Sequence, residues 1–329
     1  MSSLIETSPH LYFSKNDPFD IRLGDLVQAP KTSTHPLISI CGYPDDEGIK
    51  NNGGRSGAHG GPDAIRNRFY RMTPPLENPH HFPQLKDIGN LNIGGFHLLE
   101  RHEEISQLAF RALNQNSFWV GLGGGHDYGF PDGDAFLKKF GSKTKKPIII
   151  NFDAHLDVRP LKNGQVITSG TPFYRLLEKY PDQFHFVEIG IQPFCNSPQH
   201  FQWFKDHGGF CMTRPEILES PKTMKDFVLE KLKEWHLLTP KTPCYLSVDI
   251  DAFSTSFAIG CSQSWPSGLT PKEFFPCFKE LCNIFSVCSL GVYEVSPELD
   301  QDDQTAKLAA EILYNYCVIQ GQKYAGNQF

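Results

Sequence analysis

The sequence predicts an α/β fold in which a mainly parallel sheet is covered by helices on both faces. Short apolar runs with strand character alternate along the chain with longer segments in which apolar residues recur at helical spacing. This alternation is typical of successive strand-helix-strand units. A length of 329 residues with 39% hydrophobic content can bury one large core. We expect a single domain at residues 37–329, preceded by an N-terminal extension at residues 1–36. The extension either packs along the sheet edge, makes an oligomer contact or is partly mobile.

Six strands are predicted from apolar runs bounded by polar or glycine-rich segments. They are Leu37–Gly42, Phe118–Leu122, Pro147–Phe152, His185–Ile191, Tyr245–Ile250 and Leu290–Val295. Helices are predicted where apolar residues recur three and four positions apart. They are Asp63–Met72, His102–Asn114, Pro172–Tyr180, Lys222–His236, Pro271–Phe285 and Asp303–Val318. Pro62 precedes the first helix, a position that proline favours because the first N–H groups of a helix lack intrahelical partners.

Three side chains that can bind a metal follow the third predicted strand. Asp153, His155 and Asp157 come directly after the apolar run Pro147–Phe152. In an extended segment, residues i, i+2 and i+4 point to one face, so these three side chains can converge. Taken alone, the string could equally be a loop whose carboxylates cap a helix.

Two other strands end in the same kind of residue. A glycine-rich turn after the second strand leads to His126, and the fifth strand leads to Asp249 and Asp251. By itself the glycine cluster could be a tight turn without chemistry. In an open parallel sheet, however, ligands bind at the edge formed by the carboxyl ends of the strands. Three such segments together favour a metal site over a purely structural explanation.

The combined set contains four carboxylates and two imidazoles: His126, Asp153, His155, Asp157, Asp249 and Asp251. This is too much negative charge for one tetrahedral zinc ion, whose structural sites favour cysteine and histidine. Carboxylate-rich ligation favours a hard ion such as Mn2+, and two ions that share bridging carboxylates fit the set better. The expected chemistry is hydrolysis by attack of a metal-bound hydroxide.

The order of these motifs resembles that of the ureohydrolase superfamily, which includes arginases, agmatinases and formimidoylglutamases. The matching segments are Gly123–Asp127, Asp153–Asp157, Ser247–Asp251 and Glu294–Asp300, within a match that runs from about Ile38 to the C-terminus. The resemblance implies a three-layer α/β/α fold and a hydrolase with two Mn2+ ions as cofactors. It also implies that the six residues named above are the metal ligands.

Within the superfamily, the chain looks most like the formimidoylglutamases. The segments that carry this likeness are Asp46–Ala58, Gly61–Arg66, Ser169–Phe173 and Gly190–Gln192. Arginases and agmatinases usually place a histidine with a proton-shuttling role in the loop that corresponds to Ser169–Phe173. No residue of this loop can replace that histidine at neutral pH. Ile259 also stands where a proline is common in the family.

Two arginines are candidates for binding a substrate carboxylate. Arg159 lies two residues beyond Asp157, where arginases, by resemblance, carry an asparagine that contacts the amino-acid carboxylate. A guanidinium there can pair bidentately with a carboxylate, which suits an anionic, glutamate-like substrate better than cationic agmatine. The alternative for Arg159 is a salt bridge to a neighbouring acidic loop. Arg55 is a second candidate, and its alternative role is to tie down its own loop.

The family match assigns the catalytic roles to two acidic residues. Glu294 follows a short apolar run, at the position that grips the cationic amidine or guanidine group of the substrate. A carboxylate there would fix the reacting carbon over the nucleophile, although such a residue could otherwise be a helix cap or a surface acid. Asp157 is the preferred proton carrier to the leaving amine. The segments Ser197–His207 and Ser254–Gly268 are expected to form further walls of the pocket.

The resemblance implies hydrolysis of N-formimino-L-glutamate to L-glutamate and formamide, a step of histidine degradation. The nearest alternative is another ureohydrolase that acts on a guanidino acid, such as a guanidinobutyrase, an agmatinase or an arginase-like enzyme. A catalytically silent member with a structural or regulatory role is a further alternative. Silent members tend to lose metal ligands, whereas all six are present here.

Composition excludes several other classes of function. The net charge of −6 and the lack of a concentrated lysine or arginine run argue against a nucleic-acid or membrane-surface role. No apolar run approaches the length of a membrane span, and no signal segment is evident, so a cytoplasmic location is expected. Nine cysteines without a C-x-x-C pair indicate reduced thiols. The expected partner is a small-molecule substrate, and a homo-oligomer is possible because family members are often oligomeric.

Overall fold

A sheet of nine strands forms the centre of this computed structural model, which describes residues 3–28 and 36–326. In chain order the strands are β1 (Leu4–Ile5), β2 (Leu37–Gly42), β3 (Gln84–Leu91), β4 (Phe118–Leu122), β5 (Ile148–Phe152), β6 (His185–Ile191), β7 (Phe210–Thr213), β8 (Pro243–Asp249) and β9 (Ser286–Tyr293). Their order across the sheet is β1-β3-β2-β4-β9-β8-β5-β6-β7. Each neighbouring pair is parallel except β1 with β3. The predicted mainly parallel sheet is confirmed.

Helices cover both faces of the sheet. In chain order they are α1 (Leu23–Gln28), α2 (Glu47–Asn51), α3 (Gly61–Phe69), α4 (Leu98–Asn114), α5 (Gly129–Phe140), α6 (Pro172–Lys179), α7 (Pro198–Asp206), α8 (Arg214–Glu219), α9 (Met224–Glu234), α10 (Pro271–Ile284) and α11 (Gln304–Gly326). Ile148 and Ile150 of β5 pack in one apolar cluster with residues of α9, α10 and α11. Ile149 packs in a second cluster with residues of α5 and α6. Because alternate residues of a strand point to opposite faces, the architecture is three-layer α/β/α.

The start of α10 illustrates how local sequence sets a helix boundary. The Thr270 side chain accepts a hydrogen bond from the backbone N–H of Glu273, and the Glu273 carboxylate accepts one from the backbone N–H of Thr270. This reciprocal pair satisfies two donors that the helix itself leaves unpaired. Pro271 occupies the first helical position. The helix therefore begins at the predicted residue.

The sequence pattern did not reveal β1, β3, β7, α1, α2, α5, α7 and α8. Among these, β3 and α5 contain residues that normally disfavour strands or helices. On β3, an Asp87 carboxylate oxygen lies 2.8 Å from the Nε atom of Arg66, and both side chains are fully buried. Pairing with α3 therefore places a polar strand residue in the interior. Helix α5 contains Pro131 and Gly133, and a Cβ at Gly133 would lie 2.5 Å from the Leu176 Cδ1 atom. Glycine permits this close packing of α5 against α6.

The predicted N-terminal extension lies partly outside the described residues, which omit 1–2 and 29–35. Within the described part, Leu4 and Ile5 pair antiparallel with Leu91 and Asn90 at the edge of the sheet. Leu23 of α1 is fully buried in the same apolar cluster as α11. The described part of this segment therefore packs against both the sheet edge and the core. In residues 3–28 and 36–326, no helix is long and apolar enough to span a bilayer.

Candidate metal centre

Four of the predicted metal ligands meet where β4, β5 and β8 end. The Nδ1 atom of His126 lies 2.9 Å from an Asp157 carboxylate oxygen. The same Nδ1 atom lies 3.1 Å from Asp153 Oδ2 and 3.2 Å from Asp249 Oδ2. His126 and Asp153 are fully buried, and Asp249 is nearly so. The strand ends thus bring one imidazole and three carboxylates to a single point.

A second group adjoins the first and shares Asp153 with it. The Nδ1 atom of His155 lies 3.1 Å from Asp251 Oδ2 and 3.5 Å from Asp153 Oδ1. In each group the candidate ligand atoms lie within 4.8 Å of one another. Two adjoining groups that share a carboxylate could hold a pair of metal ions. The structure therefore brings all six predicted ligands together.

The backbone path through this region differs from the extended segment that the sequence analysis assumed. Strand β5 ends at Phe152, and residues 153–157 form a loop. Asp157 has a φ of 47°, in the left-handed region that non-glycine residues seldom adopt. The alternation of side chains along a strand therefore does not explain how Asp157 reaches the site. Its carboxylate is directed there by the left-handed backbone conformation of a loop residue.

The glycine-rich turn positions His126 through backbone contacts. The N–H groups of Gly123, Gly124 and Gly125 donate to the carbonyl oxygens of Val292, Tyr43 and Asp45, respectively. A Cβ at Gly124 would lie 1.8 Å from the Asp45 carbonyl oxygen, so no other residue fits there. The turn is thus fixed against β9 and the segment after β2.

The neighbours of His126 leave its Nδ1 lone pair available for a metal. Its Nε2 atom lies 2.9 Å from the Ser247 hydroxyl. When Nε2 carries the ring proton and donates a hydrogen bond to the Ser247 hydroxyl, Nδ1 is left unprotonated. Nδ1 is buried, and among the described residues none offers it an aligned hydrogen bond, although three carboxylate oxygens lie within 3.2 Å. In that tautomer, the buried Nδ1 atom surrounded by carboxylate oxygens fits a divalent cation.

The electrostatics of the cluster also fit cations. Burial, together with the charges of Asp251 and Asp153, raises the pKa of Asp249 well above its ordinary value. Burial likewise raises the pKa of Asp251 to about 6, against the opposing effect of His155. Burial and the charge of Asp153 raise the pKa of Asp157. Divalent cations would remove the mutual repulsion that disfavours ionisation of these groups.

Glu294 lies beside this cluster, at the point where β9 ends. Its φ is 66°, and its backbone N–H donates to the carbonyl oxygen of Gly124. Its Oε1 atom accepts a hydrogen bond of 3.0 Å from the backbone N–H of His126. Burial raises the pKa of Glu294 well above its usual value, although the hydrogen bond from His126 opposes this shift. The left-handed turn thus aims the carboxylate towards the metal cluster instead of along the strand direction.

A cavity of about 290 Å³ opens onto the cluster. Its walls include Asp157, Glu294 and Arg159. Arg159 is exposed, and within residues 3–28 and 36–326 it forms no ion pair. Its side chain lies over Gly170, where a Cβ would come within 2.8 Å of Arg159 Cδ. The salt bridge considered as an alternative role for Arg159 is therefore absent from the described residues.

Arg55, by contrast, does not line the cavity. Its Nε atom donates to the Ser262 carbonyl oxygen at 3.0 Å, and its NH2 group donates to the Cys261 carbonyl oxygen at 2.9 Å. Two of its five N–H donors are therefore used on backbone carbonyls. These contacts favour the alternative role, in which Arg55 ties its loop to the Cys261–Ser262 segment.

The remaining cavity walls were only partly predicted. Ser262, Gln263 and Trp265 lie in the expected wall Ser254–Gly268. The other expected wall, Ser197–His207, does not line the main cavity, and near the site only its residues Ser197 and His200 line a small adjoining cavity. Asn52 and Cys195 also line the main cavity, and no chemical pattern in the sequence singled them out. Ser247 could have been found, because it precedes Asp249 by two residues and so points to the same face of β8.

Comparison with protein-family models matches residues 37–318 to the arginase family. The chain is 31% identical over 297 residues to a formimidoylglutamase of Staphylococcus carnosus, covering 90% of each chain. It is 32% identical over 288 residues to a formimidoylglutamase of Legionella pneumophila, covering 83% of this chain and 82% of the relative.

Solved structures of formiminoglutamases have a fold similar to that of this chain. The formiminoglutamase of Trypanosoma cruzi, whose crystal structure contains Mn2+, superposes with a TM-score of 0.79 at 28% identity, over 92% of this chain and 99% of the other. The formimidoylglutamase of Bacillus subtilis superposes with a TM-score of 0.80 at 26% identity, over 94% of each chain. The candidate ligand groups of this chain therefore lie in a fold that holds manganese in a related protein.

Proposed function

Because the chain belongs to the arginase family and is a hydrolase of linear amidine C–N bonds, we propose that its substrate is N-formimino-L-glutamate. Hydrolysis would yield L-glutamate and formamide, a step of histidine degradation. The observation that carries this proposal is the placement of Arg159, without an ion-pair partner among the described residues, on the wall of the same cavity as the acidic cluster. A cation at that position suits a substrate that carries carboxylates.

We propose that two Mn2+ ions are held by the two adjoining groups. His126, Asp153, Asp157 and Asp249 form one group, and Asp153, His155 and Asp251 form the other. When bound, such ions supply a nucleophile at neutral pH by lowering the pKa of water. Oxygen-rich ligation with two imidazoles suits manganese.

The side chains around the cavity bind and orient the substrate and transfer a proton. The Glu294 carboxylate orients the cationic formimino group, and its own position is held by the hydrogen bond from the His126 N–H. Arg159 pairs with a substrate carboxylate. Asp157 transfers a proton to the leaving amine. No histidine is present in the Ser169–Phe173 segment to share that role.

A panel of substrates tests this proposal. Protein loaded with Mn2+ is assayed with N-formimino-L-glutamate, arginine, agmatine and guanidinobutyrate, and we expect turnover confined to the first. Guanidinobutyrate is the most informative comparison, because Arg159 would bind any carboxylate. Activity on a guanidine alone would retain the metal chemistry but overturn the assignment of the substrate. Metal binding without turnover of any of the four would support a silent member of the family.

Replacing Arg159 with alanine is expected to raise KM for the formimino substrate by about 10–100-fold, the size typical of a lost hydrogen bond to a charged group. The value of kcat should change little, because the carboxylate contact is the same in the ground state and the transition state. Steady-state kinetics provide the measurement.

The matched control for Arg159 is Lys162→Ala, which removes one exposed positive charge from the same loop without altering the cavity wall. The control should leave KM unchanged. An unchanged KM in Arg159→Ala would exclude its role in binding the carboxylate.

A further inference from the structure

One buried acid next to the metal cluster has no role in the chemistry described so far. Glu188 of β6 is completely buried, and within the described part of the chain no cation pairs with it. A buried carboxyl group without a cationic partner costs stability, because it loses hydration without a compensating charge. A role of Glu188 in the function of the protein would offset this cost in stability.

The contacts of Glu188 lead directly to the metal cluster. Glu188 pairs in register with Asn151 of β5, and its Oε2 atom accepts a hydrogen bond of 3.0 Å from the Asn151 side-chain amide. The same amide nitrogen donates to Asp153 Oδ2 at 3.1 Å. Both hydrogens of this NH2 group are thus committed to carboxylates, which fixes the side-chain orientation. A flipped amide would direct its oxygen at two carboxylates.

Asp153 is the residue whose orientation matters most. It belongs to both candidate ligand groups, so both depend on its two oxygens. Its Oδ1 atom accepts from the backbone N–H of His155 at 2.6 Å, and its Oδ2 atom accepts from Asn151. The backbone of the loop therefore fixes the Oδ1 atom, and the Asn151 side chain fixes the Oδ2 atom.

We propose that Glu188 is a positioning residue that acts through Asn151 to hold Asp153 in the orientation required to bind both metal ions. This inference rests on the proposed function, since it requires that the cluster bind Mn2+. Partners that orient metal ligands typically change metal affinity by about 10–100-fold when they are removed. A purely structural role for Glu188 would affect the stability of the metal-free protein instead.

Two substitutions of Glu188 separate these roles. Glu188→Met keeps the volume but removes the acceptor for Asn151, whereas Glu188→Gln keeps an oxygen acceptor. Titration of the metal-free proteins with MnCl2 in a calorimeter gives the affinity, and thermal unfolding gives the stability. We expect Glu188→Met to lower Mn2+ affinity by about 10–100-fold without lowering the unfolding temperature of the metal-free protein. Glu188→Gln should bind Mn2+ as the wild type does.

A double-mutant cycle tests whether Glu188 acts through Asn151. Asn151→Ala should lose Mn2+ affinity to a similar extent, and this result is independent of whether Glu188→Met folds. Adding Glu188→Met to Asn151→Ala should cause no further loss. Full Mn2+ affinity in Asn151→Ala, or in a folded Glu188→Met protein, would overturn the inference, as would an additional loss in the double variant. Failure of the wild type to bind Mn2+ would instead contradict the proposed function.

Discussion

Replacing Asp153 with alanine is expected to remove at least one Mn2+ ion and to lower turnover by more than ~100-fold, beyond the effect of losing a residue that only orients a ligand. The reason is the position of Asp153 between the two groups. Its oxygens lie 3.1 Å from His126 Nδ1 and 3.5 Å from His155 Nδ1. The loss of one shared carboxylate therefore weakens both metal positions. Metal content measured after dialysis, together with kcat, tests this expectation.

Asp134→Asn serves as the control for Asp153→Ala. Asp134 is also buried, but it pairs with Lys138 and Lys179 on the outer side of α5 and does not line the cavity. This substitution should lower stability while leaving metal content and kcat intact. Full activity in Asp153→Ala would refute the metal assignment, whereas an equal loss in both variants would indicate a general effect on folding.

The sequence predicted which candidate metal ligands lie together better than which residues line the cavity, for a physical reason. Metal ligands stand at strand ends, and the register of a parallel sheet brings strand ends to one edge wherever the loops run. His126, Asp153 and Asp249 are placed in this way. Asp157 reaches the site through a left-handed turn instead, so its agreement with the prediction does not follow from strand alternation.

Contacts outside the strand ends depend on tertiary geometry that no local sequence pattern reveals. Arg159 was the first candidate for binding a carboxylate and Arg55 the second, but of the two only Arg159 lines the cavity. The donors of Arg55 are used by the carbonyl oxygens of a segment about 200 positions away. Such a long-range contact has no local pattern.

The same limit applies to the fold. Apolar runs predicted the central strands, which are buried on both faces, whereas β3 escaped because its polar Asp87 is paired with Arg66. For a related reason, the sequence pattern did not identify Asn151 and Glu188 as a contacting pair. Each lies within an apolar run, and only the register between β5 and β6 reveals that the two side chains meet.

Glu294→Gln is expected to lower kcat/KM for the formimino substrate by ~10²–10³-fold, comparable to the loss of one preorganised electrostatic contact in other enzymes. The substitution removes the negative charge that faces the cationic amidine. It keeps an oxygen that can accept the hydrogen bond from the His126 N–H. Since the turn around His126 is preserved, Mn2+ affinity should stay close to that of the wild type. Steady-state kinetics and calorimetric titration with Mn2+ measure the two quantities separately.

Glu298→Gln is the matched control for Glu294→Gln, because it makes the same chemical change four residues away. The Glu298 side chain is 60% exposed, and its Oε1 atom lies 3.5 Å from the Nε2 atom of His59. This control should retain full activity. If Glu294→Gln lost Mn2+ together with activity, Glu294 would act by supporting the ligand cluster. Unaltered kcat/KM would exclude a contact with the cationic group. Retained Mn2+ with a large loss of kcat/KM is the result expected for a carboxylate that orients the substrate.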